Sequence, residues 1–165
     1  MSQHSATELN YRALLERCPW VVERDGDCIL SPDSDGLLCG LLMSHYLGWK
    51  VRGFYDGKVL VVADNFRPQN CVFLDMEIFR PNIRSIGQHM VMYDKSDLPP
   101  NWRNFDNCIA ANNLRNYDFK NDFKLKYPLG TVHMLLSVLG QGQAIPIQKS
   151  AISPLLYTDG TFKNQ

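Results

Sequence analysis

The stretch CILSPDSDGLLCGLLMSHYLG, residues 28–48, determines the predicted fold. It begins with a short apolar run, passes through the acidic turn Ser-Pro-Asp-Ser-Asp-Gly at residues 31–36, and continues as a Leu- and Met-rich segment up to Gly48. A short apolar run bounded by turn residues is typical of a strand buried in a sheet, and a glycine commonly ends a helix. The stretch therefore predicts a strand, an acidic turn and a helix.

Other apolar runs extend this unit into an α/β fold with an open, mainly parallel sheet flanked by helices. The predicted strands lie at residues 50–54, 59–62, 71–74, 89–93 and 108–111. The predicted helices are a leading helix at residues 6–17 and a late helix at 128–139, which has Pro128 in its first turn and Gly140 as its stop. Residues 78–86 are interpreted as helical or irregular, and residues 97–126 as a long polar loop.

Length and composition indicate one ordinary globular domain over residues 1–165. Lys plus Arg and Asp plus Glu both number 17, so no global basic field attracts nucleic acid. The five cysteines form no Cys-x-x-Cys pair, which favours buried free thiols over zinc or disulfide chemistry. Because no apolar stretch approaches the roughly 18 residues of a membrane span, we expect no membrane association and a cytoplasmic location.

Aspartates follow three of the predicted strands. Asp33 and Asp35 lie in the acidic turn, Asp75 follows the strand at 71–74, and Asp94 follows the run at 89–93. Ligands of open α/β sheets bind outside the carboxyl ends of the strands, so these four carboxylates are expected to converge there.

Clustered carboxylates repel one another unless a cation lies between them, and oxygen ligands suit Mg²⁺ or Mn²⁺. Such a site favours attack of activated water on phosphorus. Aspartate is also common in turns and at helix N-termini, and Asp35 could cap the helix that follows it. Both interpretations stay open at this point.

The acidic turn resembles the first motif of the DHH phosphoesterases, His-x-Asp-x-Asp-Gly. The family's second strand ends in aspartate, as Phe-Leu-Asp does at residues 73–75, and its third ends in Asp-His-His, matched in position by Asp-Lys-Ser at 94–96. Residues 156–162 are similar to an Asp-Thr-Gly-x-Phe element that supplies a late metal aspartate. The resemblance covers roughly residues 27–162 of this chain, and it extends only to the catalytic domain of the family's proteins.

The resemblance implies a metal-dependent phosphoesterase acting on a nucleotide, a short oligonucleotide or another small phosphate ester. Lys95 would stabilise phosphate charge, and Asp35 would be both ligand and catalytic residue. The implied metal ligands are Asp33, Asp35, Asp75, Asp94 and Asp159. The candidate substrate contacts are Ser31, Ser34, Ser96 and Arg80.

Three departures from the motifs favour a different class of function. Ser31 replaces the first metal histidine, and Lys95 and Ser96 replace the two histidines of the naming motif. The chain is therefore also interpreted as a DHH-like domain that has lost catalysis and serves as an interaction or regulatory subunit. Such a subunit would expose an apolar patch, drawn from Trp20, Trp49 and Trp102.

A third hypothesis is an ATP pyrophosphatase of the PP-loop type, whose Ser-Gly-Gly-x-Asp-Ser turn also joins a first strand to a helix. Residues 31–36 lack both glycines, and Pro32 removes a backbone donor that a phosphate cradle would use. Short single-stranded nucleic acid is a further candidate partner, since arginines and Trp102 fall near the predicted crevice.

Overall fold

A six-stranded sheet forms the centre of the computed structural model, which describes residues 9–64 and 66–158. In chain order the strands are β1 (Asp27–Leu30), β2 (Lys50–Tyr55), β3 (Leu60–Val62), β4 (Val72–Leu74), β5 (Arg84–Gly87) and β6 (Cys108–Ala110). Their order across the sheet is β3-β2-β1-β4-β5-β6. Only β3 runs antiparallel to its neighbour, and every other pair is parallel. The prediction of an α/β fold with a mainly parallel sheet is confirmed.

Five α-helices accompany the sheet within the described residues. They are α1 (Tyr11–Arg17), α2 (Ser34–Leu47), α3 (Ala111–Leu114), α4 (Thr131–Leu139) and α5 (Lys149–Tyr157). Short 3₁₀ turns lie at Pro19–Val22, Pro68–Asn70, Trp102–Phe105 and Phe123–Leu125. None of the helices in these ranges is both long and apolar enough to cross a membrane.

The two faces of the sheet bury different side chains because successive residues of a strand point to opposite sides. Cys28 and Leu30 of β1 join the larger apolar cluster, to which α1, α2 and α4 contribute. Ile29 and Phe73 point to the other face, where a smaller cluster is completed by partly buried residues such as Phe66. This burial on both faces explains why the central strands are short, continuous apolar runs.

Local sequence explains the limits of α2. The Asp33 carboxylate accepts the backbone N–H of Gly36 at 3.0 Å and so caps the first turn. Gly48 ends the helix with φ of 73°, a left-handed conformation that glycine adopts without strain. At Gly36, an added Cβ would lie 2.3 Å from the Ser31 carbonyl oxygen, so only glycine permits this close approach of α2 to the end of β1.

The predicted strand at residues 89–93 is wrong. The structure places β5 earlier, at Arg84–Gly87, between β4 and β6. The buried Asn112 donates its amide protons to the carbonyl oxygens of Gln88, at 2.7 Å, and Met90, at 3.0 Å, so these carbonyls are engaged by a side chain. Tyr93 is 70% exposed, which shows that an apolar run is not by itself evidence of sheet burial.

Several smaller predictions need correction. In the described part of the chain the leading helix begins at Tyr11, where the Asn10 side chain caps it by accepting the N–H of Ala13, and the predicted residues 6–8 lie outside the described residues. The late helix begins at Thr131 rather than Pro128, and α5 was not predicted. Trp20 and Trp49 are buried in the core and form no exposed patch. The expectation of buried free cysteines is confirmed for all five thiols.

Candidate functional site at the carboxyl ends of β1 and β4

Four of the candidate site residues come together where β1 and β4 end. The Ser31 hydroxyl oxygen lies 2.9 Å from Asp33 Oδ1 and 2.7 Å from Asp75 Oδ2. Asp35 lies in the first turn of α2 and is almost fully buried, as is Asp75. Parallel strands present their carboxyl ends at one edge of the sheet, which explains why residues 44 positions apart in the chain meet here.

Thr131 joins the two buried carboxylates. Its backbone N–H donates to Asp35 Oδ2 at 2.6 Å, and its hydroxyl donates to Asp75 Oδ1 at 2.7 Å. The N–H of Val132 donates to the other oxygen of Asp35 at 2.9 Å. The Asp35 carboxylate therefore lies at the N-terminus of α4, where unpaired N–H groups and the helix dipole favour a negative charge.

Asp75 has an unusual backbone as well as a buried carboxyl group. Its φ is 65°, in the left-handed region that aspartate tolerates better than most residues. Burial, reinforced by the nearby Asp35 charge, raises the pKa of the Asp75 carboxyl to about 9. Asp75 is therefore protonated at neutral pH.

The hydrogen bonds of the Ser31 hydroxyl also require Asp75 to be protonated. This hydroxyl has one hydrogen and two carboxyl groups within bonding distance, so it can donate to only one of them. A protonated Asp75 donates to Ser31 Oγ, which in turn donates to Asp33. Although burial opposes it, the Gly36 N–H and the Ser31 hydroxyl hold the pKa of Asp33 below its usual value. The three side chains thus carry one negative charge, located on Asp33.

A cleft of about 630 Å³ opens beside this cluster. Six of the residues that line it are Ser31, Tyr55, Asp75, Glu77, Arg80 and His89. The imidazole nitrogens of His89 lie 3.8 Å from Asp75 Oδ1 and 3.9 Å from Glu77 Oε2. Burial raises the pKa of Glu77, although its Oε1 accepts the N–H of Met90 at 3.0 Å.

Three other candidate residues, Asp94, Lys95 and Ser96, have hydrogen-bond and ion-pair partners outside this cluster. Asp94 is ion-paired with Lys120, whose ammonium group lowers the pKa of the carboxyl, and also accepts two hydrogen bonds from Ser96. Lys95 donates its N–H to Asp118 and lines a separate cleft that includes Trp102. Ser34 is the exposed first residue of α2. The candidate ligand Asp159 lies outside the described residues.

A divalent metal at Asp35 and Asp75 would have to share or displace the hydrogen-bond partners that these carboxyl groups already have. Both oxygens of Asp35 accept backbone N–H groups, and both oxygens of Asp75 are bonded to hydroxyls. Within residues 9–64 and 66–158, no group of three or more His, Cys, Asp and Glu side chains is placed to hold a metal ion.

Sequence reasoning missed Thr131, Glu77 and His89. Thr131 follows Gly130 at the start of the apolar Val-x-Met-Leu-Leu pattern, which is a recognisable helix start. His89 comes two residues after the end of β5. Its position near a strand end can be recognised only when β5 is placed at Arg84–Gly87.

No protein-family model, no curated protein and no solved structure matches this chain. A proposal about its function therefore depends on the residues at the ends of β1, β4 and β5 themselves.

Proposed function

We propose that this chain is a DHH-like domain that serves as an interaction or regulatory subunit rather than as a phosphoesterase. Trp20 and Trp49 are buried, so they do not supply the apolar surface expected of such a subunit. One observation carries the proposal: both oxygens of Asp35 accept backbone N–H groups, and both oxygens of Asp75 are hydrogen-bonded to hydroxyl groups of the protein itself. A metal ion at this place would have to compete with the N-terminus of α4 for Asp35 and displace a proton from Asp75.

The positions of the family motifs support the same proposal. Ser31 has the position of the first metal histidine, and its hydroxyl holds Asp33 and Asp75 together by hydrogen bonds. If strand order is followed, the Asp-His-His position comes after β5, at Gln-His-Met in residues 88–90. One imidazole then remains where the family has several. A serine hydroxyl and a protonated carboxyl stabilise the fold without any metal.

A second candidate function is metal-dependent hydrolysis of a nucleotide, oligonucleotide or small phosphate ester with Mg²⁺ or Mn²⁺. The observation that favours it is the cleft, which places His89 beside Asp75 and has Arg80 in its wall. Asp33 is the exposed carboxylate of the cluster and has the lowered pKa, so it is the most accessible ligand for a cation. The PP-loop hypothesis has less support, because Asp33 occupies the N-terminus of α2 where a phosphate would bind.

The stability, metal binding and hydrolytic activity of Asp33→Asn and Asp35→Asn distinguish the two candidate functions. Asparagine caps a helix about as well as aspartate, so Asp33→Asn should change the free energy of unfolding by less than about 0.5 kcal/mol. Asp35→Asn places an amide against the N–H donors of α4 and should lower it by about 2–3 kcal/mol. Chemical denaturation measures both values.

Binding of Mn²⁺ by calorimetry and hydrolysis of bis-p-nitrophenyl phosphate and a short oligonucleotide complete the test. We expect no saturable Mn²⁺ binding and no hydrolysis above the buffer rate for the unmodified chain. Metal-dependent hydrolysis that Asp33→Asn abolishes at unchanged stability would overturn the proposal in favour of the phosphoesterase.

A further inference from the structure

The outer edge of β3 is a surface on which another strand could pair, and this is independent of the proposed function. Among residues 9–64 and 66–158, β3 is the last strand of the sheet and pairs on one side only, with β2. A free edge presents unpaired N–H and C=O groups that can pair with another strand. The exposed fractions of Val59 and Val61 are 59% and 62%, and Phe54, which pairs with Val61, is 39% exposed.

The hydrogen bonds to β2 fix which backbone groups of this edge are free. The N–H of Ala63 donates to the Arg52 carbonyl, and the carbonyl of Val59 accepts from Asp56. Backbone groups of successive residues in an antiparallel strand point to alternate sides, so residues 59, 61 and 63 bond to β2. Leu60 and Val62 therefore direct their N–H and C=O groups outward.

This pattern is self-complementary. If a second copy approaches with its β3 antiparallel about a two-fold axis through Val61, Leu60 of each copy lies opposite Val62 of the other. These are the two residues whose backbone groups point outward, so they can exchange both hydrogen bonds. The two Val61 residues form the non-hydrogen-bonded pair on the axis.

The charges beside the strand match the same register. Lys58 lies in the bend before the strand and Asp64 in the turn after it, each three residues from Val61, so the axis brings Lys58 of one copy and Asp64 of the other to the same end of the paired strands. Both residues are exposed, and no ion pair involving either side chain is present within the described residues. Opposite charges directly across an antiparallel pair stabilise it.

We propose that the chain forms a two-fold dimer in which the β3 strands of two copies pair antiparallel about Val61, joining their sheets into one. The short strand limits the contact area, so the dimer is expected to dissociate in the micromolar range. The partner is a second copy because hydrogen-bond direction, apolar exposure and charge order all match when the edge meets itself.

Cross-linking tests the register. In Val61→Cys, the axis brings two Cα atoms to about 4.5 Å, within the range of a disulfide. Diamide, which accepts the two electrons and two protons released by the thiols, should convert most of this variant to a covalent dimer. Val59→Cys is the matched control, since the same register places residue 59 opposite residue 63 and should give none. The native cysteines are all buried and contribute little background.

Charge reversal tests the same register without new bonds. Sedimentation equilibrium should show that Lys58→Asp or Asp64→Lys alone raises the dissociation constant roughly tenfold, since each creates two like-charge pairs, and that the double variant restores it. Circular dichroism verifies that each variant is folded. A chain that stays monomeric through the micromolar range, equal cross-linking at positions 59 and 61, or a double variant weaker than both singles would overturn the proposal.

Discussion

Asp75 is the residue that the structure constrains most strongly. It combines a left-handed backbone, a buried carboxyl and two hydroxyl partners, Ser31 and Thr131, that lie 44 and 56 residues away in the chain. Its raised pKa means that the folded protein holds a proton that the unfolded chain releases at much lower pH. The stability of the protein is therefore linked to the protonation of this one group.

We predict that Asp75→Asn raises the free energy of unfolding at pH 8 by at least ~1 kcal/mol. The folded-state pKa is raised, so the favourable contribution of the proton is complete below about pH 4 and is lost as the pH rises toward 9. The asparagine amide keeps one donor for Ser31 and one acceptor for Thr131, and it never ionises. Urea denaturation from pH 4 to pH 9 should show the stabilities of the two proteins diverging as the pH rises. Parallel curves would contradict the pKa assignment.

The rule that ligands and polar groups gather at the carboxyl ends of parallel strands led to the expectation that Asp33, Asp35, Asp75 and Asp94 converge. The first three meet at Ser31 and Thr131, whereas Asp94 pairs with Lys120 and Ser96. The rule could not reveal Thr131, because a threonine hydroxyl has no spacing pattern and its partners are distant in the chain. Nor could it reveal that the three carboxyl groups have hydrogen-bond partners within the protein. That depends on where α4 begins, which only the packed structure fixes.

The start of α4 and the position of β5 both differ from the sequence predictions, because both depend on partners that are distant in the chain. The late helix starts at Thr131 because Asp35 caps it from another helix, so Pro128 is not in its first turn. β5 lies at Arg84–Gly87 because β4 and β6 enclose it, although this stretch is less apolar than residues 89–93. Local signals were sufficient for the end of α2 at Gly48, but the aspartate that caps its start is Asp33 and not Asp35, because the Asp35 carboxylate accepts the N–H groups of α4.

The contact between α2 and α4 depends on the small size of Gly130. A Cβ added there would lie 2.6 Å from Asp35 Oδ2, which is already bonded to the N–H of Thr131. We predict that Gly130→Ala lowers the free energy of unfolding by about 1–3 kcal/mol, because either the helix or the carboxylate must move. Thermal and urea denaturation measure the change.

Gly142→Ala is the control for that substitution. The nearest atom to its added Cβ is the Leu139 carbonyl oxygen at 3.9 Å, so the expected change is within about 0.5 kcal/mol. Equal effects of the two substitutions would show that the contact with Asp35 is unimportant.

The accessibility of the five cysteine thiols shows whether the whole fold is intact. They lie in different parts of it, namely after α1, in β1, in α2, before β4 and in β6. Burial raises the pKa of Cys28, Cys71 and Cys108 to about 12 and raises that of Cys39 as well. At these four positions the thiolate that reacts with labelling reagents is therefore scarce in the folded protein, and Cys18 is protected by its burial.

We predict that a thiol reagent such as DTNB labels the folded chain at pH 8 at least ~100-fold more slowly than the chain in guanidinium chloride. All five thiols should react together as the denaturant concentration approaches the unfolding midpoint. A single thiol that reacts rapidly in native buffer would instead mark local opening of the element that carries it. Mass spectrometry of the labelled protein identifies which cysteine has reacted.

The hydrogen bond from Val132 to Asp35 spans 97 residues of the chain, and this separation has a consequence for biosynthesis. A ribosome adds about 5–20 residues per second, so roughly 5–20 s pass between the synthesis of the carboxylate and that of its partner. Late in this interval, once residue 110 has been made, the nascent polypeptide contains β1 to β6 but lacks α4, so the apolar cluster that includes Val72, Leu74 and Ile86 is still without the residues of that helix. A chaperone that binds emerging apolar segments would engage the chain in this interval and lose its binding site once α4 docks.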